Sequence, residues 1–220
     1  EAVAGLLNLS AEEVSSIAQT AVNTGEIPSI VYDMERYLYL PYLYEAETEA
    51  ALRIKDMSED DREIGNASLA IEKFEREHGF SLEEKQKEAV KESMKSGVMV
   101  ITGGPGTGKT TLIQAIIGAA EQYGVKVKLM APTGRAAKRL AISSGRNADT
   151  IHKALEASMR DHGHTYFEKN EAEPLEEDLI IVDEASMLDI SLFYHLLCAL
   201  KPEARLILVG DIDQLPPVGP

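Results

Sequence analysis

Two short stretches carry residues whose types and spacing suit chemistry on phosphates. The first is Gly103-Gly104-Pro105-Gly106-Thr107-Gly108-Lys109-Thr110, followed by Thr111. It satisfies the G-x-x-x-x-G-K-[ST] pattern, in which glycines let the backbone curl so that successive N–H groups face an anion. A helix starting at its end would add a partial positive charge. Lys109 can then reach the β- and γ-phosphates of a nucleotide, and the Thr110 hydroxyl can ligate Mg²⁺. The second stretch is Leu179-Ile180-Ile181-Val182-Asp183-Glu184. An apolar strand ending in adjacent carboxylates places Asp183 at the carboxyl edge of a sheet, where nucleotides bind. Asp183 suits Mg²⁺, and Glu184 suits polarising an attacking water.

Four further segments narrow the chemistry. Leu208-Val209-Gly210-Asp211-Ile212-Asp213-Gln214-Leu215-Pro216-Pro217-Val218-Gly219 puts Gln214 on a loop where its amide can contact a γ-phosphate. Ala131-Pro132-Thr133-Gly134-Arg135-Ala136-Ala137-Lys138 sets a hydroxyl, a glycine and Arg135 at a strand-to-helix junction, a combination suited to a phosphodiester backbone. Thr150-Ile151-His152 repeats that chemistry, and Gln86, on a helix before the first strand, can read adenine.

The elements that must position these residues are legible in the hydrophobic pattern. From Gly97 onward strands alternate with helices: strand Val98–Thr102, helix Thr110–Tyr123, strand Val127–Ala131, a helix from Gly134, strand Leu179–Val182, helix Ser191–Leu200 and strand Leu206–Val209. The strands are almost continuously apolar, as a parallel sheet covered by helices on both faces requires. Upstream, helical segments are expected at about Ala67–His78 and Ser81–Ser96, after a charged linker from Ser58 to Glu63. Further upstream, Ser10 and Glu13 form a capping-box pattern that opens a helix. A hairpin around Asp33-Met34-Glu35-Arg36 and a helix from Pro41 to about Met57 follow. Helix, hairpin and helix together suggest a small winged-helix-like module. Tyr37, Tyr39, Tyr42 and Tyr44 within it can stack on bases, or pack the module's core and edges, the preferred reading. The expected domains are therefore a mainly helical module over 1–78 and an α/β nucleotide-binding domain over 79–220.

Composition bounds the remaining classes. The 220 residues carry a formal charge of -15 with 44% hydrophobic residues, enough for a core. The acidic balance argues against a protein that coats nucleic acid over its whole surface. The charge is uneven, however: residues 1–97 hold 10 basic and 21 acidic side chains, while Gly134–Lys153 holds Arg135, Lys138, Arg139, Arg146 and Lys153 against only Asp149. That strip is either an anion site or a solvated helix face. The lone Cys198 suits a reducing compartment. No apolar run approaches the roughly 18 residues of a membrane span, so no membrane association and a cytoplasmic location are expected. His195 and Cys198, three apart on a helix, are read as core residues, and His162 and His164 as solvated. The chain does not open on Met, and it is expected to begin inside a longer gene product.

The motifs Gly103–Thr110, Ala131–Ala137, Thr150–His152, Val182–Met187 and Gly210–Gly219, in that order, resemble those of RecD-like superfamily-one DNA helicases, the group related to the exodeoxyribonuclease V alpha subunit. The resemblance covers about residues 80–220. It implies a RecA-like motor domain and ATP-driven 5′-to-3′ movement on single-stranded DNA in repair or recombination, with nuclease subunits as possible partners. It assigns adenine to Gln86, phosphates to the 103–111 loop, Mg²⁺ to Thr110 and Asp183, water activation to Glu184 and γ-phosphate sensing to Gln214. Strand contact falls to Thr133, Arg135, Thr150 and His152. It also implies a small duplex-splitting hairpin at about 161–174, with Tyr166 and Phe167 as its apolar content. A second motor domain with an arginine finger is expected after Pro220, so the 220-residue chain is expected to bind ATP–Mg²⁺ but turn it over slowly. The alternatives are another P-loop ATPase switch and a partner-docking adaptor.

Overall fold

The computed structural model describes residues 2–104, 106–159, 165–211, 217 and 219, with side chains from residue 5 onward. Contacts divide the chain between Glu49 and Ala50.

The first unit holds helices α1 (Ala2–Leu7) and α2 (Ala11–Asn23), a hairpin of β1 (Ser29–Tyr32) with β2 (Glu35–Leu38), and the start of α3 (Pro41–Ser58). The expected capping box is present: the Ser10 hydroxyl accepts from the Glu13 amide at 3.2 Å, and the Glu13 carboxylate accepts from the Ser10 amide at 2.8 Å. Asp33 and Met34 both take positive φ, the turn geometry whose twist matches a two-residue hairpin. The tyrosines do not build a core. Tyr37, Tyr42 and Tyr44 are exposed, Tyr39 meets Tyr44 edge-on at 5.6 Å, and Met34 at the hairpin tip is 96% exposed. A two-stranded hairpin has no second layer to cover both of its faces.

The second unit begins earlier than the boundary expected at 78/79. Helix α4 (Ala67–His78) presents Ala67, Ala70, Ile71 and Phe74 at helical spacing, and this stripe is buried in the same core as helix α6 (Lys109–Gln122). The Tyr123 hydroxyl, just past α6, donates to the Asn66 carbonyl at 3.0 Å. Helix α5 (Glu84–Ser93) lies against α6 as well.

The sheet has five parallel strands: β3 (Val98–Thr102), β4 (Val127–Ala131), β5 (Ala148–Thr150), β8 (Leu179–Val182) and β9 (Arg205–Gly210), arranged β3-β9-β8-β4-β5. Alternate side chains feed two cores on its two faces. Ile101, Leu129, Leu179, Ile181, Ile207 and Val209 pack with α4, α5 and α6. Met130, Ile180, Val182 and Leu206 pack with helices α8 (Ile151–Ala154) and α9 (Ile190–Cys198). Both faces of central β8 are fully covered, as expected. Edge strand β3 is not, since Val100 is 64% exposed.

A second hairpin pairs β6 (Ala157–Met159) with β7 (Thr165–Phe167). It starts four residues before the expected 161–174 insertion, and Phe167, expected with Tyr166 as its apolar content, is buried. The Phe167 ring packs between His152 and His195, at 5.9 and 4.6 Å between centroids. Glu171 pairs with Arg53, and Glu173 with Lys169 at 3.1 Å. Cys198 is buried on α9. Among the described residues no helix is long and apolar enough to cross a membrane.

Candidate nucleotide and strand site

Because all five strands run the same way, their carboxyl ends form one edge. Across the sheet it presents the glycine loop after β3, Asp211 after β9, Asp183 and Glu184 after β8, Thr133 after β4 and Thr150 ending β5. Ligands of open α/β sheets bind at such an edge.

The loop turns through two positive-φ glycines, Gly106 at 77° and Gly108 at 81°, values an L side chain rarely adopts. Gly108 is the N-cap of α6 and has no side chain to cap the helix. The first-turn amides of α6 are therefore left without the side-chain acceptor that ordinarily takes one of them. A Cβ on Gly108 would also lie 2.6 Å from the Gln86 amide nitrogen. Gln86 is itself fixed, its side-chain oxygen accepting from the Glu83 amide at 3.0 Å in a capping box. The Lys109 ammonium arches over the loop. It donates to the Gly103 carbonyl, sits 3.5 Å from the Gly104 carbonyl and lies 3.8 Å from the Asp211 carboxylate.

Opposite the loop, the amide of Asp183 continues the β8–β4 ladder by donating to the Met130 carbonyl at 2.9 Å. Its carboxylate accepts from the Glu184 amide at 3.0 Å. Burial pushes the Asp183 carboxyl above its ordinary range, against the opposing pull of Arg139 and Lys109. Glu184 is 7% exposed and takes a left-handed φ of 57°. Such a backbone conformation in a non-glycine residue costs about 1–3 kcal/mol and collects at functional positions. Its carboxylate pairs with Arg139 of helix α7 (Gly134–Ser144). One cavity of 630 Å³ is lined by Gly104, Gly106, Thr107, Gly108, Lys109, Thr110, Ile113, Arg139, Ser143, Asp183, Glu184 and Asp211.

The two junctions further along the edge are built differently. Thr133 is the N-cap of α7, its hydroxyl accepting from the Ala136 amide at 3.2 Å. Thr150 is the N-cap of α8 and accepts from the Lys153 amide at 3.2 Å. Ala131 pairs with Thr150 across the sheet, so the two helix starts lie side by side. Each threonine oxygen uses a lone pair on its own helix, and its proton remains able to donate to a phosphate. Arg135 and His152 are exposed in the first turns of these helices.

Lys109, Thr110, Asp183 and Glu184 are thus brought together on one cavity. Gln86 is held behind Gly108 rather than in the lining, and Thr111 and Gly103 also lie outside it. Thr133, Arg135, Thr150 and His152 line a neighbouring stretch of the same edge. Pro105, Gln214, His162 and His164 lie outside the described residues. The basic strip is largely neutralised: Arg139 pairs with Glu184, Arg146 with Glu121 at 2.7 Å, and Lys153 with Asp149 at 2.7 Å. Arg135 and Lys138 make no ion pair among the described residues. Sequence reasoning missed Asp211, which follows an apolar strand just as Asp183 does and could have been found by that pattern. It also missed Arg139 as a site residue, and nothing local signals its partner 45 positions away.

Residues 86–220 match the AAA_19 family, described as an AAA domain. The chain is 38% identical over 220 residues to an ATP-dependent RecD2 DNA helicase of Deinococcus radiodurans, covering 99% of this chain and 28% of that protein. It is 36% identical over 169 residues to the RecBCD enzyme subunit RecD of Mycolicibacterium smegmatis, covering 66% of this chain and 30% of that subunit. The chain therefore spans less than a third of the length of either relative. Among solved structures, an arterivirus nonstructural protein 10 (helicase) in complex with DNA aligns over 61% of this chain and 32% of that one, at 15% identity and a TM-score of 0.35, too distant to bear on function. With its glycine loop, paired carboxylates and parallel sheet all inside the matched region, the chain belongs to the AAA_19 family of AAA domains and is a homologue of RecD-type helicases.

Proposed function

We propose that this chain binds ATP with Mg²⁺ at the cavity beside the glycine loop, and serves as the nucleotide-binding part of an ATP-dependent 5′-to-3′ DNA helicase. One observation carries the reading: Lys109, Thr110, Asp183 and Glu184, up to 75 positions apart, line a single cavity against a loop whose helix start has no side-chain cap.

The residues fit the ligand. A phosphate chain needs open backbone amides and no Cβ in its path, which Gly106 and Gly108 supply. Mg²⁺ is held by one or two carboxylates together with phosphate oxygens and waters rather than by an all-protein cage. Asp183 and the Thr110 hydroxyl are that kind of donor set. Such an ion neutralises charge developing on the transferred phosphoryl group. Lys109 would exchange the Gly103 carbonyl for a phosphate oxygen, a stronger charge-assisted partner. Glu184, buried next to the metal-binding carboxylate, would take a proton from the attacking water. Gln86, fixed by its capping box beside Gly108, would read a base edge from outside the cavity lining. Gln214 would sense the γ-phosphate, a role that rests on its motif and on the resemblance.

Single-stranded DNA would lie along the rest of the edge, on the hydroxyls of Thr133 and Thr150 and on Arg135 and His152. Half or more of protein–DNA hydrogen bonds go to phosphate and sugar. Such a substrate suits a cytoplasmic protein, acting alone or with other DNA-repair or nuclease subunits.

Titration with a fluorescent, non-hydrolysable ATP analogue and Mg²⁺ tests the nucleotide site. Lys109→Ala is expected to weaken binding at least about 100-fold, the loss of a desolvated charge contact of roughly 3 kcal/mol. Anisotropy of a labelled oligothymidylate tests the strand track, and Arg135→Ala should weaken its binding several-fold. A chain that binds the analogue but no single-stranded DNA would favour another P-loop switch.

A further inference from the structure

The candidate cavity brings three acidic side chains, Asp183, Glu184 and Asp211, to one place with two cations, Lys109 and Arg139. The cations are not shared at random. Lys109 lies 3.8 Å from Asp211, and Arg139 pairs with Glu184. Asp183 makes no ion pair among the described residues, which leaves it open to a divalent ion. Arg139 therefore answers the carboxylate beside it. Glu184 is nearly buried, and a buried carboxylate without a partner is costly.

Arg139 also connects Glu184 to a braced helix. The Gln114 amide of α6 donates to the Ser143 carbonyl of α7 at 2.7 Å, and Glu121 of α6 pairs with Arg146 just beyond α7. On α7, Arg139 stands four residues after Arg135, hence on the same helix face as a strand-contact candidate. The helix beginning at Thr133 is thereby tied to the carboxylate after β8.

We propose that Arg139 is the positioning residue of Glu184: it neutralises that carboxylate and fixes it to α7, so that the cavity accepts nucleotide phosphates without the charge of Glu184 facing them uncompensated. This deepens the nucleotide-site reading and rests on it. Arg139 is 65% exposed on its helix, so replacing it leaves the core untouched.

A thermodynamic cycle on the 220-residue chain separates the outcomes. Affinity for the fluorescent, non-hydrolysable ATP analogue with Mg²⁺ is measured for wild type, Arg139→Ala, Glu184→Gln and the double variant, with Arg139→Gln as a second neutral replacement and thermal unfolding as a check on folding. Arg139→Ala is expected to weaken binding about fivefold, the upper end for a partly exposed ion pair. The loss should shrink to less than about twofold when Glu184→Gln is already present, because the charge that Arg139 pairs with is then gone. An equal loss in both backgrounds would mean that Arg139 touches the phosphates directly, and would overturn the proposal. Unchanged affinity with a lowered Tm would reduce Arg139 to a structural role and overturn it too. A wild-type chain that binds no analogue, or binds it as well after Lys109→Ala, instead overturns the nucleotide-site reading itself.

Discussion

The glycine loop after β3 and the threonine junctions after β4 and β5 solve the same problem in opposite ways. Each turns a parallel strand into a helix at the same sheet edge, and each begins a helix whose first amides need acceptors. At Thr133 and Thr150 the chain supplies the acceptor itself, through a hydroxyl 3.2 Å from the third helical amide. At Gly108 it supplies none, and the left-handed glycine widens the turn instead. A self-capped helix start is stable and presents a hydroxyl proton and an exposed arginine or histidine to a phosphate passing by. An uncapped one holds its amides ready to enclose a phosphate. In the proposed helicase the same topology would yield a track in one place and a cradle in the other, and the difference would be the presence or absence of one side chain.

Gly108→Val should break this contrast most. A β-branched residue at φ 81°, meeting Gln86 on its way, is expected to cost about 1–3 kcal/mol in thermal unfolding and to lower analogue affinity sharply. Thr133→Ala and Thr150→Ala should each cost about 1 kcal/mol, the value of a lost N-cap. If either lowered nucleotide affinity as much as Gly108→Val, the division into track and cradle would fail. The smallest effect tests what holds the track's edge. Lys153 and Lys128 bond the Asp149 carboxylate at 2.7 and 3.1 Å and hold its pKa below the ordinary range, with partial burial opposing them. A lowered carboxylate pKa in the folded state stabilises above the unfolded value, and that stability disappears as pH falls through the folded value. Asp149→Asn should therefore cost less than about 1 kcal/mol near pH 7. Its deficit against wild type should close in acid below the ordinary carboxylate range, as followed by urea unfolding across pH.

Much of the cradle was legible because its determinants are local. Strands Val98–Thr102, Val127–Ala131 and Leu179–Val182 lie where the apolar runs place them, and the capping box at Ser10 forms as its spacing demands. The helix after the loop begins at Lys109, one residue before the expected Thr110. Elsewhere local pattern misled. The apolar stripe of α4 shows that it packs but not on what, so the unit boundary moved from 78/79 to 49/50. Phe167 is, with Tyr166, the apolar content of the hairpin that the resemblance implies, and the spacing does not show that its ring is taken up by two histidines distant in sequence. The four tyrosines near residue 40 read as core formers, but the small hairpin offers them little to pack against.

The sequence by itself determined which residues could handle phosphate, because a glycine-rich turn, a lysine and a strand-terminal carboxylate are matters of local spacing. It also determined that the strands would be parallel and mostly buried, since their apolar runs are separated by helices. Only the tertiary structure decided who meets whom. Inserting the last two strands, β9 and β8, between β3 and β4 sets Asp211, Asp183 and Glu184 directly beside the glycine loop and moves Thr133 and Thr150 further along the edge. Strand order depends on long-range packing of two faces at once, which no window of sequence contains. The pairing of Arg139 with Glu184, and with it the electrostatic balance of the cavity, follows from that order.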